Sequence, residues 1–279
     1  MTISFNVIPK MKNNRRSFLT KAAALGLAST IPFQIKSRPK AKELPSLKGR
    51  KVLFTYGGWD GHEPLKYRDY MGDWLKNEGA EVTLSDSLDS YLDKDLMTSV
   101  DLIIQLYTMS QITNEQEKGL VEAVKAGVGI AGWHGGLCDA FRNNVEYQFM
   151  TGGQWVAHPG GVIDYSVKIL DTGDEVTAGL SDFRMTSEQY YMHVDPNTKV
   201  LATTKFTGET NDWINGCVIP VAWKKIYGKG RVFYTSLGHN LDHITQEPDA
   251  LEMLQRGIKW AGASKFEKTE NLVNPIYSS

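Results

Sequence analysis

Val128-Gly-Ile-Ala-Gly-Trp-His-Gly-Gly136 is the stretch that decides how this 279-residue chain folds. An apolar run from Val128 to Trp133 leads directly into Gly132-Trp133-His134-Gly135-Gly136, the form of a nucleophile elbow. In such a turn a buried strand passes straight into a helix. The central side chain stands on a strained backbone and points into the crevice above the sheet. Small neighbours are needed because the turn brings backbones together. Here the central residue is histidine, which excludes serine or cysteine acyl-enzyme chemistry at this position. Imidazole there leaves a general base, a proton shuttle or a metal ligand. Cys138, on the helix that follows, reads as a buried thiol.

The same strand-to-helix rhythm extends on both sides of the elbow. Lys51 to Thr55 is a short apolar run that stops at Gly57-Gly58, the mark of a buried strand. Pro64 suits a first helical turn, and Leu65, Tyr67, Tyr70, Met71, Trp74 and Leu75 follow at helical spacing up to Gly79. Glu81–Ser85 and Asp101–Leu106 read as strands, and Thr113 with Gln116 forms a capping box opening a helix through Ala126. Such alternation predicts a three-layer α/β/α fold around a mostly parallel, flavodoxin-like sheet. Beyond residue 160 the pattern changes to strands at Val162–Leu170, Gln189–Val194, Val200–Thr204, Val218–Trp223 and Val232–Thr235, with a hairpin turn at Gly228-Lys-Gly230. These predict additional antiparallel strands in the C-terminal half. Pro248–Ala261 reads as a closing helix.

Composition narrows the function classes. Hydrophobic residues make up 41% and charged residues 23%, which suits a globular core. No apolar run reaches the length of a membrane span. The formal net charge of −1 averages two unlike pieces. Residues 1–40 hold eight Lys or Arg and no acid, which leaves 23 basic against 32 acidic residues in the remainder, a net of −9. So acidic a body repels phosphate backbones, and nucleic acid is not expected as a partner. Two cysteines make neither a disulfide framework nor a thiolate zinc site. In the basic head, Asn14-Arg15-Arg16-Ser17-Phe18-Leu19 precedes a weakly apolar stretch from Ala22 to Phe33, the arrangement of a twin-arginine export signal. The expected layout is therefore signal and linker over 1–47, one domain over 48–265, and a tail over 266–279, with a periplasmic location.

The histidines carry the chemical signal. His62 lies just past the first strand, His134 past the fourth, and His239 ends Thr235-Ser-Leu-Gly238-His239. In an open parallel sheet ligands bind at the carboxyl ends of the strands, so these three are expected to converge there. They are candidate ligands for a divalent, zinc-like metal. His134, Glu188 and His62 are the candidate catalytic groups, with burial expected to raise Glu188 into general-acid range. Trp59, Trp133, Trp155, His158, Tyr190 and His193 are candidate substrate contacts, because flat aromatic faces stack on sugar rings and polar tips hydrogen-bond hydroxyls. Glu188 and Tyr190 share one strand face, whereas His193 faces away unless the strand bends. His243 reads as a surface or helix-cap residue.

Several of these motifs fall in order along the chain. They are the glycine-rich loop with His62, the Gly-Trp-His134-Gly-Gly elbow, Gly152-Gly-x-x-x-x-His158, Glu188-x-Tyr190, and Pro220-Val-Ala-Trp223 leading through Tyr227-Gly-Lys-Gly-Arg231 to Leu237-Gly-His239. Together, from about Lys51 to Gly262, they resemble the trehalose-utilisation (ThuA-like) family. The resemblance implies a class I glutamine-amidotransferase-like fold with histidine in place of the amidotransferase cysteine, so glutamine hydrolysis does not carry over. It also implies catabolism of trehalose and related glycosides, often beside sugar oxidoreductases that make 3-keto sugars. Three functions stay open on these grounds: a hydrolase or lyase for a glycoside such as a 3-keto disaccharide, a non-catalytic sugar-binding module, and a histidine-ligated metal-dependent hydrolase.

Overall fold

Val, Ile and Leu runs without polar alternation can be buried on both faces only between two layers of helices, and the computed structural model, which describes residues 43–270 and 272, shows that arrangement. Its elements in chain order are β1 (Lys51–Gly58), α1 (Pro64–Asn77), β2 (Glu81–Ser85), α2 (Lys94–Ser99), β3 (Leu102–Thr108), α3 (Asn114–Ala126), β4 (Gly129–Trp133), α4 (Gly135–Cys138), α5 (Val145–Thr151), β5 (Gly153–Ala157), β6 (Val162–Ile169), β7 (Phe183–Glu188), β8 (Tyr191–Val194), β9 (Lys199–Lys205), β10 (Val218–Tyr227), β11 (Gly230–Thr235), α6 (Leu241–Thr245) and α7 (Pro248–Gly262). Nine strands form one sheet in the order β2-β1-β3-β4-β11-β10-β9-β6-β7. From β2 to β11 neighbours are parallel, and from β11 to β7 they are antiparallel. The expected α/β/α class, with antiparallel strands added by the C-terminal half, is the observed one.

Two cores flank the sheet. Phe54, Tyr67, Met71, Leu75, Phe233 and Trp260 pack on the side of α1 and α7. Leu53, Ile103, Leu120, Val124, Ile130 and Tyr147 pack on the side of α3 and α5. The capping box of α3 is complete, with Gln116 N–H donating to Thr113 Oγ1 at 3.2 Å and Thr113 N–H to Gln116 Oε1 at 3.0 Å. Pro220, which cannot donate to a ladder, sits at a register shift between β10 and β9, where a bulge accommodates it.

The C-terminal half departs from expectation at one point that matters. The strand expected over Gln189–Val194 is broken. β7 ends at Glu188 in the large sheet, and β8 begins at Tyr191 in a separate two-stranded sheet with β5. Gln189 is tied back to Thr204 Oγ1 at 2.7 Å, so the chain turns there and crosses between sheets. β5, β7, α2, α5 and α6 lack a strong period in sequence and are seen only in the structure. Residues 1–42, which include the twin-arginine segment, and residues 271 and 273–279 lie outside the described residues.

A buried ion cluster pins the loop between β6 and β7 to the sheet. Lys224, on β10 and 1% exposed, donates to Asp174 Oδ2 at 2.9 Å and Glu175 Oε1 at 3.0 Å, while Lys199 reaches Asp174 at 2.7 Å. Burial alone would raise the Asp174 carboxyl, but Lys224 and Lys199 outweigh it and hold it below its usual range. A depressed folded-state pKa means that this contribution is complete above the unfolded carboxyl pKa and is lost as pH falls through the folded one. Lys224→Met leaves buried carboxylates short of a cation and is expected to cost about 3 kcal/mol in urea unfolding at neutral pH. A loss below about 1 kcal/mol would show that the cluster does not hold the loop.

Candidate functional site

Four loops meet at the carboxyl ends of the parallel strands. The chain leaves β1 for β2 on one side and returns to β3 on the other, which makes the β1/β3 border a topological switch point. Across that border, His62 Nδ1 lies 2.9 Å from the Thr108 hydroxyl at the end of β3. His134 follows β4 with φ 49° and ψ −139°, a conformation that costs a non-glycine residue about 1–3 kcal/mol. It is held there by its N–H to Thr235 O at 2.8 Å, and by Tyr234 OH donating to its carbonyl at 3.0 Å. His239 follows β11, also at positive φ (80°). Glu188 arrives from β7. The ring centroids of His62 lie 4.5 Å from His134 and 5.3 Å from His239, and those of His134 and His239 are 5.8 Å apart.

Glycine permits this crowding at two places. A Cβ on Gly135 would lie 2.6 Å from His62 Cε1 and 2.8 Å from Thr108 Cγ2. Gly238 has φ 146°, and a Cβ there would lie 2.9 Å from His134 Cβ.

The Glu188 carboxylate faces every imidazole of the cluster. His134 Nε2 is 3.1 Å and His62 Nε2 3.9 Å from its Oε2, while His239 Nδ1 is 3.3 Å and His158 Nε2 3.8 Å from its Oε1. Burial alone would raise Glu188, but the imidazoles of His134, His239 and His62 around it outweigh burial and hold it well below the usual carboxylate range. It is therefore ionised at neutral pH, which corrects the expectation of a raised general acid. Burial pushes His134 down to about 3, against the opposing pull of Glu188, so this imidazole is neutral. Its tautomer follows from its other nitrogen. Nδ1 lies 2.8 Å from the Ser236 carbonyl, which can only accept, so Nδ1 carries the proton and Nε2 presents a lone pair. Facing an ionised carboxylate at 3.1 Å, that nitrogen needs a positive centre beside it, a proton or a cation. His239 Nδ1 is also buried without a hydrogen-bond partner.

Aromatic groups wall the cluster. Tyr190 stacks on His134 at 4.1 Å, and burial keeps its hydroxyl protonated far above neutral pH. Trp155 lies 5.7 Å from the His158 ring and 6.1 Å from Tyr190, and partly exposed Trp59 lies 4.8 Å from His62. Trp133 is not part of this wall. It is fully buried against Phe54 and Tyr67, because the residue before the elbow points back into the core. His193 is exposed on β8 opposite Gln154, beside Phe149 and Gly152, away from the cluster. His243 is no surface cap: it lies 5.6 Å from the His239 ring, with Nδ1 3.2 Å from Ser187 Oγ. Sequence reasoning missed Thr108, Asp139 and Arg142. Thr108 ends a parallel strand at the switch point, and Asp139 with Arg142 forms an i,i+3 pair just beyond the elbow, so both signals were present.

An open α/β sheet with a histidine–carboxylate cluster at its strand ends defines a class of protein with a polar, titratable centre at an elbow. The chain belongs to the trehalose-utilisation family (ThuA), whose model matches residues 51–261. That membership ties it to carbohydrate utilisation of the trehalose type. A ThuA-like protein from Bacteroides uniformis superposes with a TM-score of 0.66 at 15% identity, covering 83% of this chain and 98% of that one. One from Parabacteroides merdae gives 0.64 at 21% identity, covering 80% and 92%. A cytoplasmic protein from Salmonella typhimurium LT2 gives 0.52 at 13% identity, covering 78% and 99%. At these identities the likeness shows the fold. No curated protein matches the chain.

Gly135→Ala tests the packing of the elbow. The added methyl must displace His62 or Thr108, and a loss of about 1–3 kcal/mol in thermal unfolding is expected, together with a moved His62 ring in a crystal structure of the variant. Parental stability with the ring in place would contradict the close approach.

Proposed function

We propose that the protein is a carbohydrate-active enzyme, a hydrolase or lyase for a glycoside, in which His62, His134, His239 and Glu188 hold a divalent cation of the zinc type. The contact that carries this reading is the 3.1 Å approach of the His134 Nε2 lone pair to the Glu188 carboxylate. Two acceptors at that distance need a positive centre between them, which a proton or a metal ion supplies, and the convergence of two further imidazoles on the same point favours the ion. Donor chemistry and spacing fit. The four ligand atoms lie within 4.8 Å of one another, and the 3.1, 3.3 and 3.9 Å contacts bracket the separation of about 3.3 Å between ligands of a tetrahedral zinc. When bound, such an ion polarises a substrate oxygen or a water.

The protein's own groups account for the remaining steps. Trp59 and Trp155 hold the sugar by its faces, while Tyr190, buried and stacked on His134, backs the histidine. His158, with its side chain 39% exposed and outside the four-residue set, is the group that moves a proton. In a glycoside already oxidised to a ketone at C3, the C2 proton is acidic. His158 takes that proton, the C1–O bond breaks as a C1–C2 double bond forms, and the imidazolium returns the proton to the departing oxygen. A sugar oxidoreductase is the partner that would supply such a substrate. The test is metal analysis of the purified protein, with turnover assayed on 3-keto-trehalose and on trehalose. His134→Ala and Glu188→Gln are each expected to lose bound metal, and turnover should fall by about two to four orders of magnitude. A metal-free wild type of full activity rejects the ion, and a wild type inactive on both sugars rejects the enzyme.

We further propose export to the periplasm by the twin-arginine route, on the strength of Arg15-Arg16 ahead of the apolar Ala22–Phe33 stretch. Changing both arginines to lysine is expected to leave precursor in the cytoplasm, as read by fractionation. Undiminished recovery from the periplasm rejects the route.

A further inference from the structure

Beside the segment that follows the elbow lies a cavity of about 720 Å³, between the loop after β3 and the start of α5. Met109, Ser110, Gln111, Arg142, Asn143 and Asn144 line it. Its size falls within the range of roughly 300–1,000 Å³ usual for small-molecule sites. Several contacts place its lining beside the cluster. Met109 directly follows Thr108, the partner of His62, and the N–H groups of Met109 and Ser110 donate to Asp139 O and Ala140 O at 2.9 and 2.8 Å. The loop is thus fastened to the segment just past the elbow. Arg142 belongs to both spaces. Its guanidinium forks onto buried Asp139 at 2.5 and 2.9 Å and lies 4.5 Å over the ring of Trp155, a wall of the cluster.

The chemistry of the lining selects the ligand. Asp139 balances the charge of Arg142, and no other charged residue lines the cavity, so it offers an anion no net attraction. Ser110, Gln111, Asn143 and Asn144 make no side-chain hydrogen bond to the described protein. Asn144 is notable here: it occupies the N-cap of α5, a position asparagine favours for capping, yet its side chain does not cap. Amides present a donor and an acceptor side by side, which matches the vicinal hydroxyls of a sugar. Met109, beside them, is held at φ 47°, a strain that side chains other than glycine accept chiefly at functional positions.

We infer that this cavity is the subsite for the second sugar of a neutral disaccharide-like glycoside, the unit that departs when the bond beside the histidine cluster is broken. Gln111, Arg142, Asn143 and Asn144 are its specificity-determining residues. The inference rests on the glycoside reading above, and its test separates the two. Metal-loaded wild type and the Asn143→Ala/Asn144→Ala variant are compared on 3-keto-trehalose and on methyl 3-keto-α-glucoside, which lacks the second sugar. Wild type should prefer the disaccharide in kcat/KM, and the variant should lower that preference about tenfold, chiefly through KM. An unchanged preference overturns the subsite, whether or not both rates fall. If wild type turns over neither compound, the enzyme reading fails and calorimetric titration decides the subsite on its own. Trehalose should then bind wild type more tightly than glucose does, and the variant should lose the difference. Equal affinity of wild type for the two sugars overturns the inference. Because Asn143 is exposed and Asn144 half-buried, the variant is expected to keep its melting temperature, which serves as the folding control.

Discussion

A carboxylate taken out of water costs several kcal/mol unless charge or donors surround it, and at Glu188 that requirement organises the molecule. Its partners come from loops after β1, β4 and β11, while Glu188 itself ends β7 at the far edge of the sheet. In a flat sheet β7 would stand roughly 24 Å from β4, at about 4.8 Å per strand. The 3.1 Å contact between Glu188 and His134 therefore requires the antiparallel half to curl back over the ends of the parallel strands. The bulge at Pro220 in β10 adds local twist. Ser187 Oγ donates to Gly238 O at 2.5 Å, closing the same gap one residue away.

The elbow shows how the fold keeps a geometry while changing its chemistry. His134 occupies the strained central position with glycine on its C-terminal side, and its buried ring presents one nitrogen to a carbonyl and the other to a carboxylate. Cys138, beneath it, is enclosed, and burial drives its thiol well above the usual range. A thiol so placed has almost no thiolate at neutral pH and serves as packing.

Much of the parallel half was legible because buried strands and capped helices write strong local patterns. Lys51–Thr55, the Thr113/Gln116 box and the Val128–Trp133 run each announce an element without help from distant residues. The convergence of His62, His134 and His239 was legible for the same reason, since strand ends in a parallel sheet share one side. What was not legible depends on long-range contact. Nothing local says that the strand through Glu188 breaks at Gln189, because the cause is Thr204 in another strand. Trp133 reads as a sugar platform only until the elbow's direction is known. His193 likewise reads as a substrate contact until the switch between sheets carries it away. Arg142 looks like one more surface cation until Asp139 and Trp155 are seen on either side of it.

The spread of the cluster along the chain has a consequence for how the molecule is made. His62, His134, Glu188 and His239 are separated by long stretches of sequence, and the last lies just ahead of α6 and α7. Contacts so distant in sequence form late, after the entropy of closing their loops has been met by other structure. A nascent chain that has produced only the parallel strands through β4 holds two histidines side by side without the carboxylate that faces them. The complete cluster is thus absent from every partial product that ends before His239.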